Sequence, residues 1–513
     1  MRTSCRPSVS ARPTGNNGGL AFTTTNPSAA GIDPHPMREM LRIAGPTVAA
    51  MCSYTLMTFT DKWLSSHLGS EPIYVGAQGN GGLASWVAIS FGHGVVTVVS
   101  TFTSQNMGAG KAERGPAYAW NAAWIGVLYW LVLLLPYSFT LPRIFAAAGV
   151  ESRQAVIASQ YGRILLWGAG LTLFTRAFSQ FFYGMHRSSI VMVAGVTANI
   201  ANLVLAAVFM FGPDAPESLG LFGKATSAIA HSLQVRRMGV AGSAVGTVLA
   251  TLVELVIPLS VFLGPAMNRA YRTRSQWRPS LVHMKELWRM GWPQGAMFGN
   301  EMICWGFFMV YLVSGYGPQH ATAAWIAHQY MSLSFMPTVG ISVAVTALVG
   351  KYQGMGRSDL AQQRAWLGLR LAVIYMGICG AVFALFPRPL MELFIEGETT
   401  AEDHELLLNL GRKFLLATAA FQLFDGVAMT LSGALRGAGD TKVPGIATLI
   451  LSWSIIVGGG LTLRAMAPSL ESMSGWIAAA MYIAVLAMFL LFRFLSGRWK
   501  SIRVVREDGA IAA

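Results

Sequence analysis

Residues 91–114 read FGHGVVTVVSTFTSQNMGAGKAER, and residues 336–360 read MPTVGISVAVTALVGKYQGMGRSDL. When the two are aligned, Gly94, Gly108, Gly110 and Lys111 fall opposite Gly340, Gly354, Gly356 and Arg357, an offset of 246 residues. Each segment is an apolar run that ends in glycines and then in charge, as a helix does on leaving the hydrocarbon of a membrane. Further out, LRIAGP around Arg42 and Pro46 matches LWRMGWP around Arg289 and Pro293, and YGMHRSS at 183–189 matches RGAGDTK at 436–442. The second half of the chain repeats the first.

Composition says what kind of repeat this is. Of 513 residues, 53% are hydrophobic and 12% charged, about half the charge of an average soluble domain, and the mean hydropathy is +0.49. The apolar residues fall into twelve blocks between residues 41 and 496, each of roughly the 20 residues that cross a bilayer. The expected fold is an all-α polytopic membrane protein with twelve transmembrane helices in two pseudo-symmetric six-helix lobes. Six spans per repeat bring both halves into the membrane from the same side, related by an axis along its normal, with a substrate path between them. The expected divisions are a disordered tail over 1–36, an N-lobe over 37–264 and a basic loop over 265–286 serving as hinge. A C-lobe over 287–497 and a tail over 498–513 complete the chain.

The net charge of +14 forms no patch interleaved with exposed aromatics, so nucleic acid is not an expected partner. The basic residues sit at the ends of apolar blocks and report orientation. Arg38, Arg42, Lys111, Arg114, Arg269 to Arg289, Lys351, Arg357 and the segment from Arg493 onward fall on one side, while the acidic connector from Glu392 to Glu405 falls on the other. The positive-inside rule then places both termini in the cytoplasm and the protein in the cell's plasma (inner) membrane. Cys5, Cys52, Cys304 and Cys379 form no C-x-x-C pair and imply neither a disulfide framework nor a structural metal site. No Walker A, H-E-x-x-H or G-x-S-x-G motif is present, so uphill work must draw on an ion gradient.

An ionised acid at mid-bilayer costs about 2.5–3.5 kcal/mol, so each acid kept there is a functional candidate. Four stand out: Asp61, Glu254, Glu301 and Asp425. Gln422, Asp425, Met429, Ser432 and Arg436 recur at helical spacing and share one polar face. Gln294, Glu301, Trp305 and Phe308 form a second stripe, a carboxylate flanked by aromatics, suited to an organic cation. Asp61 shares a face with Tyr54 near the outer end of its span. Glu254 has no polar sequence neighbours and is expected against a partner helix. Arg176 is a candidate ion-pair partner for one of the acids, and His93 and His328 are candidate proton relays.

These segments resemble a known family. FDGVAMTLSGALRGAGDTKVP (424–444), FTSQNMGAGK, ALVGKYQGMGR, GWPQGAMFGNEMICWGFF and the Asn199/Asn202 pair in TANIANLVL are similar to motifs of the multidrug and toxic compound extrusion (MATE) family of cation-coupled antiporters. The resemblance runs from about residue 38 to 497. It implies a two-lobed exporter that exchanges cationic amphiphilic compounds for inward Na⁺ or H⁺, with no resident cofactor. The family's acids in spans one, seven and ten match Asp61, Glu301 and Asp425, the last two able to hold Na⁺ in the C-terminal lobe. Lys62 and Ser65 replace the usual small neutral residue and glycine, and Ala206 stands where another branch has an aspartate. The chain is expected to act as a monomer and not as an enzyme. The alternatives are a related flippase for a lipid-linked precursor, which would want an arginine-lined cavity, and a membrane-embedded enzyme subunit.

Overall fold

The structure is a computed structural model that describes residues 32–69, 73–394 and 401–505. Its twelve long helices are α1 (Pro36–Ser66), α2 (Ile73–Gly108), α3 (Ala112–Ser138), α4 (Ser152–Gly184), α5 (Ser188–Phe211) and α6 (Val240–Leu263), then α7 (Leu281–Tyr316), α8 (Pro318–Gly354), α9 (Ser358–Leu385), α10 (Ala401–Ala438), α11 (Lys442–Met466) and α12 (Met473–Leu495). Ten of them carry an apolar stretch long enough to cross a bilayer. The other two, α1 and α4, have 31 and 33 residues but are more polar. Polar residues in both turn inward, Glu39 and Asp61 on α1 and Thr175 on α4 being buried. A helix with more than one polar face spans a membrane only when neighbouring helices cover those faces.

The internal repeat reappears as matched geometry. Gly110 and Gly356, which close α2 and α8, both adopt left-handed backbone, with φ of 74° and 73°, a conformation glycine enters without steric cost. A β-carbon on Gly108 would run into the Lys351 carbonyl, and one on Gly354 would run into that of Gln105. Gly94 lies against the backbone of Gln294, and Gly340 against that of Val48. These reciprocal contacts are what an approximate two-fold axis between the halves requires. The same relation carries Ser188, whose hydroxyl donates to the Ile43 carbonyl at 3.0 Å, onto Thr441, which donates to the Met290 carbonyl at 2.7 Å.

These close crossings lie at one end of the bundle, where the halves are fastened. Thr101 donates to the Arg436 carbonyl (3.0 Å), Gln105 to that of Gly437 (2.9 Å), and a ring nitrogen of His186 meets the Ala347 carbonyl at 3.1 Å. At the opposite end the bonds run within a half: Arg237 to the Leu68 carbonyl, Arg464 to that of Tyr311, Gln319 to Asp403 and His320 to Ser472.

Two of the connecting segments are docked on the bundle. In segment 265–286, expected as the hinge, the carbonyls of Thr273 and Trp277 accept from the indoles of Trp120 (2.9 Å) and Trp124 (2.7 Å) on α3. Tyr118 also bonds Glu286 at 2.9 Å. The stretch is strapped to the N-half and carries a short helix, Pro265–Tyr271. The C-terminal tail is likewise docked up to its last described residues. Trp499 is fully buried and stacks on Phe494 at 5.1 Å, and the Gln353 amide donates to the Lys500 and Ile502 carbonyls at 2.9 and 3.1 Å. Most of the proposed N-terminal tail (1–31), Cys5, Glu396 and Glu398 lie outside the described residues.

Candidate functional site

Helices α7 and α10 carry Glu301 and Asp425, which the structure brings within electrostatic reach of each other. Both are partly exposed, and neither carboxylate is hydrogen bonded to another described side chain, so each keeps its acceptor capacity for something outside the protein. Tyr482 of α12 lies within electrostatic range of both acids and Cys304. Its hydroxyl is buried without a partner among the described residues. The helix around this site is locally widened: α7 passes into π turns at Phe308–Val313 and α11 at Ser452–Gly459, a distortion that recurs at functional positions. Asn300, one residue before Glu301, ties the two helices together. Its amide donates to Ser452 at 2.7 Å and its oxygen accepts from the Trp453 indole at 2.6 Å.

Of the residues expected on the cavity wall, Trp305, Met429 and Ser432 are partly exposed on the same two helices. Gln294 and Gln422 are instead fully buried. Gln294 accepts from Arg436 at 3.4 Å, and Gln422 donates to Ser334 at 2.6 Å, so both pin helices together. Phe308 stays beside Trp305, ring centroids 5.3 Å apart, but is buried against Trp476 at 5.2 Å in the core of the C-half.

Asp61 belongs to a separate cluster in the N-half. It is 7% exposed and accepts from the Asn202 amide at 2.7 Å. Gln78 donates to the Asp61 carbonyl (3.4 Å) and to Ser243 (3.2 Å), closing the cluster across α1, α2, α5 and α6. Asn199 donates to Ser53 at 2.7 Å. His328 on α8 meets Ser332 at 3.4 Å and packs edge-on against the Trp325 ring, centroids 5.5 Å apart.

Deeper in the N-half, Arg176, Tyr54 and Glu254 form a triad. Tyr54 donates to Glu254. Arg176 donates to the Tyr54 hydroxyl at 3.0 Å, sits over its ring at 4.7 Å and pairs with Glu254 at 3.5 Å. The acid partner left open for Arg176 is therefore Glu254, whose polar neighbours are distant in sequence. The offset that pairs Pro46 with Pro293 also pairs Tyr54 with Glu301, so the N-half has a neutralised triad near the place where the C-half has open carboxylates.

One cluster has no counterpart among the sequence expectations. Glu39, in the first turn of α1, accepts from Lys351 (2.8 Å), Tyr352 (2.8 Å) and Arg364 (2.9 Å) of the other half. Arg364 is 1% exposed and Glu39 6%, so this is a buried ion-pair network fastening α1 to α8 and α9 at the closed end. Its only sequence signal is an acid at a helix start, ordinarily read as a partner of the helix dipole.

Comparisons with known proteins agree with this architecture. A family model described as MatE matches residues 46–208 and 300–459. A probable multidrug resistance protein NorM of Pseudomonas putida is 26% identical over 495 residues, covering 93% of this chain and 98% of the relative. The protein of that name from Pseudomonas aeruginosa is 28% identical, with 93% and 92% covered. Among solved structures, a transporter of the MOP superfamily from Pyrococcus furiosus superposes with a TM-score of 0.77 at 19% identity, covering 91% of this chain and 97% of that one. A eukaryotic MATE transporter does so with 0.74 at 16% identity, covering 91% and 96%.

Proposed function

Because the chain belongs to the MatE family, we propose that it is a secondary active antiporter. In this reading it exports cationic, amphiphilic compounds in exchange for inward Na⁺ or H⁺. The observation that carries the reading is the open carboxylate pair, Glu301 and Asp425, in the C-half of a two-lobed membrane bundle. Two negative charges in a poorly hydrated site need a compensating cation, and a small ion and an organic cation satisfy that need equally well but not at once. Competition for one site is sufficient to couple their movements.

With the fastened end and both termini taken as cytoplasmic by the positive-inside rule, this conformation is read as sealed on the inside. In it, a coupling ion entering from outside displaces the exported compound from Glu301 and Asp425. Neutralising the pair removes the repulsion between the acids and favours closing the outer end. The lobes then rock about the pseudo-two-fold axis, the Glu39 network opens, and the ion is exchanged for cytoplasmic substrate. Trp305 supplies an aromatic face beside the charge for a flat cation. A monomer contains every element of this cycle.

The test is transport in proteoliposomes under an imposed Na⁺ or H⁺ gradient, with ethidium and norfloxacin as probes. Wild type should move at least one of them against its gradient, and Glu301→Gln and Asp425→Asn should not, while reaching the membrane in normal amounts. Gradient-independent flux, or wild-type rates in both variants, would overturn the reading.

A further inference from the structure

At the cytoplasmic ends of α1 and α9, three arginines face outward with no partner among the described residues. Arg38 and Arg42 lie one helical turn apart on the exposed face of α1 that also carries Met37 and Leu41. Beside them, Arg370 of α9 lines a surface groove of about 590 Å³ between the two helices, with Met37 and Trp366. All three guanidinium-bearing residues are exposed and make no hydrogen bond or ion pair to a described residue. The acid nearest in sequence, Glu39, is already committed to Lys351 and Arg364.

The depth of these residues says what they meet. Arg370 is twelve residues into α9, which begins at Ser358, and so stands about 18 Å along the helix, inside an apolar span. An arginine there with no protein counter-charge is costly unless an anion reaches it at the headgroup level. Leu41 is 52% exposed, Met37 45%, and Trp366 is the kind of side chain that seats at the interface. The α1–α9 face therefore offers guanidinium groups with apolar wall beside them, the two halves of a phospholipid.

We propose that the α1–α9 groove is a binding site for an anionic phospholipid, its phosphate held by Arg38, Arg42 and Arg370 and its acyl chains laid along Leu41 and Met37. Basic pockets between membrane helices on the cytoplasmic side are where such headgroups bind. The site depends on the protein spanning a membrane but not on what it transports.

The experiment measures lipid binding to the full-length protein in detergent, by native mass spectrometry and by thermal shift. The probes are phosphatidylglycerol, phosphatidylcholine and inorganic phosphate. The variants are the triple change Arg38→Gln, Arg42→Gln, Arg370→Gln, and a control with the same charge change on exposed residues of the 265–286 segment, Arg269→Gln, Arg272→Gln, Arg278→Gln. Phosphatidylglycerol should bind and stabilise wild type and the control, and bind the groove triple about a hundredfold more weakly, with the Lys-for-Arg triple in between. Melting temperatures without added lipid report folding, and if the triple is impaired, the double variant Arg42→Gln, Arg370→Gln carries the comparison. Equal loss in groove and control variants, equal binding of phosphatidylcholine, or stabilisation by inorganic phosphate alone would overturn the proposal.

Discussion

Replacing Glu39 by Gln removes one charge from the network that fastens the halves at the closed end. Lys351 and Arg364 then face a neutral amide, and Arg364, 1% exposed, has no route to water. Removing one partner of a buried ion pair typically costs about 3–5 kcal/mol. Gln retains one acceptor and Lys351 is 13% exposed, which favours the lower end, about 3 kcal/mol. Because the network joins the halves, that cost falls on the sealed state specifically. It amounts to about a hundredfold shift toward forms in which the halves separate there. The assay is the distance between nitroxide labels at Glu113 and Asp359, exposed positions on opposite halves of this end, on a cysteine-free background. Glu39→Gln should move the distribution to longer distances, and Arg364→Gln should do the same. A lower melting temperature with an unchanged distance distribution would refute the reasoning, since Glu39 would then stabilise the fold without latching it.

Further expectations follow from the same geometry. Gly108→Ala and Gly354→Ala each drive a β-carbon into a backbone carbonyl of the other half, and by the pseudo-symmetry both should destabilise the sealed end by about 1–3 kcal/mol; a neutral result at either, read by melting and the same label distance, removes the reciprocal crossing from the account. Tyr482→Phe deletes a hydroxyl that has no protein partner, so unfolding stability should change by less than about 1 kcal/mol while the ion dependence of ethidium binding weakens. Equal ion dependence in the variant would take Tyr482 out of the site. Asn202→Ala strips the Asp61 carboxylate of its 2.7 Å donor and should cost about 1–3 kcal/mol, measured by denaturation in detergent, and Asp61→Asn in the same background should recover part of that loss.

Much of this molecule is legible in the sequence, for identifiable reasons. Membrane helices announce themselves because about 20 apolar residues are needed per crossing, and the repeat is visible because close helix approach at Gly94, Gly108, Gly340 and Gly354 tolerates no side chain. Glu301 and Asp425 are conspicuous as acids in apolar surroundings. Tyr482 is not, since a tyrosine in an apolar helix is unremarkable until its neighbours are known. The Glu39 network was illegible because its partners are more than 300 residues away and its charge looked local. The wall residues Gln294 and Gln422 were placed on the right helices. Periodicity gives the face of a helix but not whether a neighbour's side chain consumes the polar tip. Phe308 keeps its place beside Trp305, but the face of α7 alone gives no sign that Trp476 of α12 closes over it.

The central claim is that one pair of acids serves both the coupling ion and the exported cation. Equilibrium binding of ethidium to the purified protein, titrated across Na⁺ concentration and pH, tests it directly. The account predicts that Na⁺ or H⁺ raises the apparent Kd for ethidium competitively, and that Glu301→Gln and Asp425→Asn each weaken ethidium binding and flatten its ion dependence. Ethidium binding that is insensitive to both ions, or an ion dependence that survives in both variants, would contradict it.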